Sequence, residues 1–366
     1  MRFLTLYPEG SNTELVKDVG QIPYTLAKYY NYDSALVYFS MDNKNTNFEY
    51  VKGLKLIHLH ELKIKKGKFL SEAYYLLKNA SNIDWLNLYH ETVRNVLLMK
   101  IYKFLNPYGH VYLKLDLDFK VCDKFDKDIK ERKKLQRNCN AADIVSIESS
   151  AIKKRIQKYV SKDIIIIPNG LAQINRPNLK LDKSNTFITV ARLGTEQKDT
   201  KTLVNAFVKS YKLHNWNLEL IGSMTSKFKK YIYKLLDENP ELKKRIIIKG
   251  EISNREKLYA ELAKAKVFIL DSKWEGFPLV LPEALSQGCS LIVSDQVPSA
   301  MEMTNNGKFG QIIQSGDVDC LSESMLYQIK NWDKYSVKSK VEYVHTNYNW
   351  VNICKELNNY MVLEDN

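Results

Sequence analysis

The chain is poor in the residues that several common chemistries require. Its five cysteines (Cys122, Cys139, Cys289, Cys320, Cys354) are scattered, with no CxxC pair. That spacing argues against a zinc site or a disulfide framework and for a reducing compartment. No apolar run approaches the roughly 18 residues of a membrane-spanning helix, so no span is expected. The opening MRFLTLYPEG lacks the apolar stretch of a signal peptide and reads as a first strand. No GxGxxG follows that strand, which disfavours a dehydrogenase. A cytoplasmic protein is the expectation.

Negative charge is also in short supply: 42 Asp and Glu stand against 55 Lys and Arg, a formal net charge of +13. Such an excess favours polyanionic partners, whether nucleic acid, phosphorylated small molecules or an anionic membrane surface. The basic residues gather in ELKIKKGK (61–68), KFDKDIKERKKLQR (124–137) and KKRIQK (153–158), the last two with a helical pattern. The plainer alternative is a lysine-rich solvated surface. No nucleic-acid-binding module is recognisable, so nucleic acid is not an expected partner. Peripheral contact with an anionic membrane, at the inner face of the plasma membrane, stays in view.

What is present is a repeated alternation of strand and helix patterns. At 366 residues the chain is long for one core, and two domains are expected. Strands read at 2–7, 34–39, 54–59, 84–89, 110–117, 143–149 and 163–168, with helical patterns such as 22–30 and 92–105 among them. The pattern pauses at PNGLAQINRPNLKLDKSN (168–185), which carries two prolines and no sustained period. It resumes with strands at 186–192, 217–223, 245–250, 266–272 and 290–295. The fold class is therefore α/β, two Rossmann-like doubly wound domains facing a cleft. Expected boundaries are 1–170, a linker at 171–185, a second domain at 186–345, and a terminal helix at 346–366 returning to the first domain.

Ligands of open α/β sheets sit beyond the carboxyl ends of the strands, and several unusual residues fall there. EGFPLVLPEALSQG (275–288) sets Glu275 and Glu283 eight positions apart around an apolar run. Buried carboxylates are costly unless paired. Pro282 suits the first position of a helix, with Glu283 in its first turn and the free N–H groups of 279–283 offering an anion site. Carboxylates flanking bound phosphate make sense as acceptors for hydroxyls on either side, such as a ribose and a sugar. The plainer reading leaves Glu283 answering the helix dipole and Glu275 capping a loop. Arg192 and Lys198 bracket a loop after the first strand of the second half, where a guanidinium and an ammonium suit a diphosphate.

Those residues carry a resemblance. Residues 186–330 resemble the donor-binding half of retaining glycosyltransferases of the GT-B fold, in the large family 4. The E-x7-E motif matches Glu275 and Glu283, and the basic pair matches Arg192 and Lys198, the lysine one position late. IPNG (167–170), Ser294-Asp295 and Gly250 also sit where members carry similar turns, and the closing YNW helix is similar to the family's terminal helix. The resemblance implies a nucleotide-sugar donor as co-substrate and no further cofactor. Glu283 would accept from the ribose, while Arg192 and Lys198 hold the diphosphate. Glu275 would grip the transferred sugar, helped by Gly276, Phe277, Leu279 and Val280, with Gly250 near the base. The first half resembles the family less. Gly20 stands alone where members carry a double glycine on the acceptor side, and His90 after the fourth strand could reach donor sugar or acceptor. Asp116 and Asp118 alternate on one strand face and either meet the cleft or merely solvate the strand end. His58 and His60 lack the further ligands of a metal site, and no metal is implied.

The implied activity is transfer of a sugar with retention from a nucleotide-diphosphate sugar, a UDP-sugar in preference, to a hydroxyl of a saccharide or lipid-linked acceptor. Cell-envelope, capsular or exopolysaccharide assembly would be its setting. The leaving phosphate helps take the acceptor proton. A nucleotide-sugar 2-epimerase on the same architecture and a non-catalytic, transferase-like binding subunit are the alternatives. Retention of Arg192, Lys198, Glu275 and Glu283 together speaks against the second.

Overall fold

A computed structural model describes residues 1–7, 12–39, 48–172, 182–334 and 336–364. Most of the expected linker, residues 173–181, lies outside them. The chain divides into two compact units, Met1–Gln173 with Asn347–Asn366, and Ile174–Thr346.

The first unit is built on β1 (Arg2–Leu6), β2 (Asp33–Tyr38), β3 (Lys55–His58), β4 (Trp85–Tyr89), β5 (His110–Lys114), β6 (Ile144–Ile147) and β7 (Ile165–Ile166). They form one parallel sheet in the order β3-β2-β1-β4-β5-β6-β7. Both faces are covered, which is why these strands are apolar at consecutive positions rather than alternating with polar ones. Leu4, Leu6, Leu86, Leu88, Val111 and Leu113 face one way, into a core shared with Leu76, Leu98, Met99 and Tyr102 of two helices, Gly67–Asn79 and Val93–Leu105. Phe3, Trp85 and Tyr112 face the other way. There they meet Ile22 and Leu26 of the helix Asp18–Tyr29 and the buried stripe Trp350, Ile353, Cys354, Leu357, Met361 of the terminal helix Trp350–Glu364. Two tyrosine hydroxyls fasten that last helix, Tyr30 donating to the Val351 carbonyl at 2.6 Å and Tyr32 to Asn358 Oδ1 at 2.8 Å.

The second unit carries β8 (Ser184–Val190), β9 (Asn217–Ile221), β10 (Ile246–Gly250), β11 (Ala265–Leu270), β12 (Ser290–Ser294) and β13 (Gly310–Ile313). The order β10-β9-β8-β11-β12-β13 is again parallel throughout. Its core gathers Phe187, Leu218, Leu220, Val267, Ile269 and Ile292 under the helices that cross the sheet. Strand order reverses between β8 and β11, so the loops leaving those two strands open side by side.

Three local expectations need correction. The strand expected over 110–117 ends at Lys114, because Asp118 caps the helix Phe119–Lys127 and its Oδ1 accepts the Val121 N–H at 2.8 Å. Asp118 is thus a helix cap. The helix expected to open at Pro282 opens at Val280, which places proline third, still inside the first turn where no N–H is needed. The edge strand β13 was not expected at all. It is four residues long and only its ends are buried, too short for the periodicity to register.

Candidate functional site

Arg192 lies two residues past β8, and Glu275 lies in the loop that leaves β11. The backbone joins these loops directly, the Lys273 N–H donating to the Gln197 carbonyl at 2.7 Å. Gln197 then ties the side chains together. Its Oε1 accepts from Arg192 Nη2 at 2.7 Å, and its Nε2 donates to the Trp274 carbonyl at 2.9 Å and reaches Glu275 Oε2 at 3.5 Å. Lys198 closes the group through an ion pair with Glu275 Oε1. Both partners are largely buried, so each charge depends on the other. Arg192 remains solvent-exposed, with its guanidinium aimed by Gln197. Three residues singled out in the sequence are therefore connected, and the connector was missed. Gln197 carries no charge, and its value lies in having both a donor and an acceptor on one amide.

Glu283 sits in the short helix Val280–Ser286 and is buried. Its carboxylate is ion-paired with the Arg255 guanidinium. Burial pushes the Glu283 carboxyl above its ordinary value, and Arg255 pulls the other way. Arg255 opens the helix Arg255–Lys264, whose Asn254 side chain accepts the Lys257 N–H at 2.9 Å. It stands five residues after Gly250, the last residue of β10. Gly250 has φ +71° with open space around the position of a Cβ, so its requirement for glycine is conformational. Arg255 also escaped the sequence reading, because its partner lies on another element and nothing local marks the pairing.

Between the two glutamates run Gly276, Phe277, Leu279 and Val280, all partly exposed. Of the amides at 279–283, that of Leu281 is taken by the Pro278 carbonyl and that of Glu283 by Leu279, each at 3.1 Å. Pro282 has none. The anion site expected of the free N–H groups at 279–283 shrinks to those of Leu279 and Val280.

A further acid lies beside this group. Asp271, the residue after β11, is almost fully buried, and its Oδ1 accepts the Gly316 N–H at 3.3 Å. Burial pushes its carboxyl from 3.8 up to about 7. The neighbouring Asp199 and Asp295 add to the rise, and the Gly316 N–H and Lys273 oppose it. Asp199 is paired with Lys273 at 3.5 Å.

In the first unit His90 follows β4 in a left-handed conformation, φ +68°. Backbone strain of this kind persists only where the surroundings impose it. Here the His90 N–H donates to the Lys114 carbonyl at 3.0 Å, and Asn95 Nδ2 holds the carbonyls of Tyr89 and His90 at 2.6 and 2.8 Å. Gly20 falls in the first turn of its helix, where a Cβ would lie 2.6 Å from the Leu15 carbonyl oxygen, so close packing demands it. Asp116 is exposed. Near it lies a buried cluster that the sequence hid. Lys114 Nζ donates to the Ile167 carbonyl at 2.8 Å and pairs with Glu148 at 3.0 Å and Asp18 at 3.8 Å. Burial pushes Asp18 up to about 6 and Glu148 up to about 8, against the pull of Lys114. The rings of His58 and His60 meet edge to face at 4.9 Å. Among the described residues no cluster of three or more His, Cys, Asp or Glu is placed to hold a metal ion.

Comparison with known proteins places the fold. The lipopolysaccharide outer core galactosyltransferase WaaB, in its apo form, matches over 100% of both chains with a TM-score of 0.77 and 20% identity. Anabaena Alr3699/HepE in complex with UDP matches over 99% of this chain and 100% of that one, with a TM-score of 0.75 and 16% identity. The fold is of GT-B glycosyltransferase type. Residues 172–341 match the family of glycosyl transferases group 1, so the second unit carries a group 1 glycosyl transferase domain. A lipopolysaccharide 1,6-galactosyltransferase of Salmonella typhimurium is 27% identical over 177 residues, 47% of this chain and 48% of that protein. The matches span about half or less of the curated relatives' lengths, from 19% to 53%.

Proposed function

We propose that the chain is a retaining glycosyltransferase. It moves a hexosyl group from a nucleotide-diphosphate sugar, a UDP-sugar in preference, to a hydroxyl of a saccharide or lipid-linked acceptor in envelope, capsular or exopolysaccharide assembly. The observation that carries the reading is the connected group Arg192–Gln197–Glu275–Lys198 at the carboxyl ends of β8 and β11. The names of the relatives, lipopolysaccharide galactosyltransferases among them, and the UDP in one neighbour's title support the donor class.

In this reading Arg192 and Lys198 bind the diphosphate, with the amides of Leu279 and Val280 beside it. Glu275, oriented by Lys198 and Gln197, accepts from hydroxyls of the transferred sugar. Gly276 and Phe277 let the sugar approach the backbone, Glu283 receives the ribose, and Gly250 turns the chain near the base. On the first unit, His90 and the loop before Gly20 serve the acceptor side. The bond from the anomeric carbon to the β-phosphate oxygen breaks as the acceptor oxygen bonds on the same face. The acceptor proton passes to the departing phosphate oxygen, whose charge the two cations stabilise. Fixed cations answer the charge, so the proposal includes no metal. Among the described residues no helix is long and apolar enough to cross a membrane. The proposed location is cytoplasmic, at the inner face of the plasma membrane.

A thermal-shift panel of UDP-, GDP-, ADP- and dTDP-sugars tests the donor, since binding raises Tm by mass action. Product analysis with the best stabiliser then separates transfer from epimerisation. A flat panel would end the proposal, and a 2-epimer formed without acceptor would replace it.

A further inference from the structure

Two neighbouring helices of the first unit turn apolar side chains to water. On Gly67–Asn79, Leu70, Tyr74 and Leu77 recur at the spacing of a single helical face, and all three are exposed. On Val93–Leu105, Val93, Leu97 and Phe104 do the same, with Phe104 85% exposed. The opposite faces are already committed, Leu76 to one side of the sheet and Leu98, Met99 and Tyr102 beside it. The stripes therefore cannot be relieved by rotating either helix. They are also held next to each other, because Arg94 of the second helix donates to the buried Glu72 of the first at 2.7 Å. Leu62 and Ile64 extend the exposed surface ahead of the first helix, and Tyr108, 91% exposed, extends it after the second.

The charge around these stripes is predominantly positive, with Glu61 an exposed acid among the lysines. Lys63, Lys65 and Lys66 precede the first helix, Lys68 and Lys78 lie on it, and Lys100 lies in the exposed stripe of the second. None of the six lies within 4.0 Å of a described carboxylate, although the charge of Lys68 is felt by the buried Glu72. The Lys78 ammonium sits 4.5 Å above the Tyr74 ring, at the border between the apolar and basic zones. Between the second helix and Ile129–Ala141 a groove of about 390 Å³ is lined by Lys100, Lys103 and Arg137, with Lys103 paired to Asp143 at 2.7 Å. Contiguous apolar surface on a folded domain marks an interaction site. Apolar side chains ringed by unpaired lysines fit an interface that is hydrocarbon below and anionic above.

We propose that the face carrying Leu70, Tyr74, Leu77, Val93, Leu97 and Phe104 docks on the anionic surface of a lipid bilayer. The six side chains enter the headgroup–acyl boundary while the surrounding lysines meet lipid phosphates. The proposal deepens the reading above by naming the surface at which a lipid-linked acceptor is met. In that one respect it rests on that reading.

The test is flotation of the full chain with phosphatidylcholine vesicles, with and without phosphatidylglycerol. Wild-type protein should partition at least about ten-fold more strongly onto the anionic vesicles, and added salt should weaken it. L77S/F104S, both exposed positions, should lose about ten-fold or more of that partitioning with unchanged Tm and circular dichroism. K63Q/K65Q/K66Q should lose a similar amount on anionic vesicles. Leu213→Ser, at an exposed apolar residue of the second unit, should bind as wild type. Equal partitioning onto both vesicle types overturns the proposal, as does wild-type binding by L77S/F104S or a matching loss in L213S. A dimer that L77S/F104S abolishes, without vesicle binding, also overturns it by making the face a self-association surface. Hydrolysis of the donor sugar in solution, measured alongside, should be the same in L77S/F104S and wild type. Vesicle binding without any donor turnover would defeat the functional reading alone.

Discussion

Arg255 and Glu283 are an ion pair that joins the start of one helix to the first turn of another, with the carboxylate buried and the guanidinium partly open to water. Glu275 is paired in the same manner with Lys198. Each acid of the E-x7-E spacing thus has its own cation, Lys198 from a loop and Arg255 from the start of a helix. That arrangement resolves how two carboxylates persist beside an apolar run. It also means that each carboxylate is oriented before any ligand arrives.

The first prediction concerns the Arg255 pair. Arg255→Gln leaves Glu283 buried without a cation, and removing one partner of a buried pair costs about 3–5 kcal/mol. The partial exposure of Arg255 puts the expectation at the lower end. Glu283→Gln alone should cost less, because a neutral amide tolerates burial better. In urea denaturation the double variant should be markedly more stable than the two single costs would sum to. Strict additivity would show that the two side chains do not interact.

The second prediction separates roles within the connected group. Under the proposed function Glu275→Ala should lower kcat by about a hundred-fold or more with a small change in KM, since its contacts matter as the sugar departs. Lys198→Ala should lower kcat and weaken donor binding together. Gln197→Ala removes no charge but frees the Arg192 guanidinium, so a loss of about ten-fold is expected. Gln197→Glu should not restore it, because a carboxylate keeps the acceptor for Arg192 and loses the donor toward Glu275. Full activity in Gln197→Ala would remove the positioning role given to that amide.

Much of the architecture is readable in the residues, and the failures share a physical origin. Strands buried on both faces announce themselves as apolar runs, Glu275 and Glu283 stand out because charge beside such a run is anomalous, and Arg192 and Lys198 stand out by their place around the loop that follows a strand. Gln197 and Arg255 did not stand out. The first is neutral and the second is an ordinary surface residue until the fold brings Glu283 to it. Lys114 was hidden the same way: in VYLKLDL it reads as the polar half of an alternating strand, and only Asp18 and Glu148, on other elements, make its burial tolerable. Asp118 misled for a local reason, since helix caps and strand-end acids look alike when the strand boundary is unknown. Pairings between distant segments are what single-chain patterning does not contain.

The third prediction follows from Lys114. Lys114→Met removes the cation between Asp18 and Glu148, which burial already pushes up to about 6 and about 8. Without it both carboxyls bind protons still more tightly in the folded protein than in the unfolded chain. A group that holds its proton more tightly when folded loses stability as pH rises. The variant should therefore fall further below wild type at pH 8 than at pH 5. Adding Glu148→Gln should recover part of the loss at pH 8. A penalty independent of pH would mean that the methionine simply packs badly.

The last prediction concerns Asp271, whose carboxyl burial pushes up from 3.8 to about 7. Between those values the folded protein keeps the proton and the unfolded chain has lost it. The unfolded state then binds fewer protons, so stability declines as pH climbs from about 4 to about 7 and levels off above that. Between pH 5 and pH 8 the decline from this one group amounts to roughly 2–3 kcal/mol, at about 1.4 kcal/mol per unit. Asp271→Asn carries no such penalty, and its amide oxygen can still accept the Gly316 N–H. The variant should therefore gain on wild type from pH 5 to about pH 7 in urea or thermal denaturation, and hold that gain at pH 8. The loop after β13 stays in place, because the bond that anchors it survives. A Tm difference that does not change with pH would show that Asp271 ionises normally. The hydrogen bond from Gly316 and the charge of Lys273 would then offset burial.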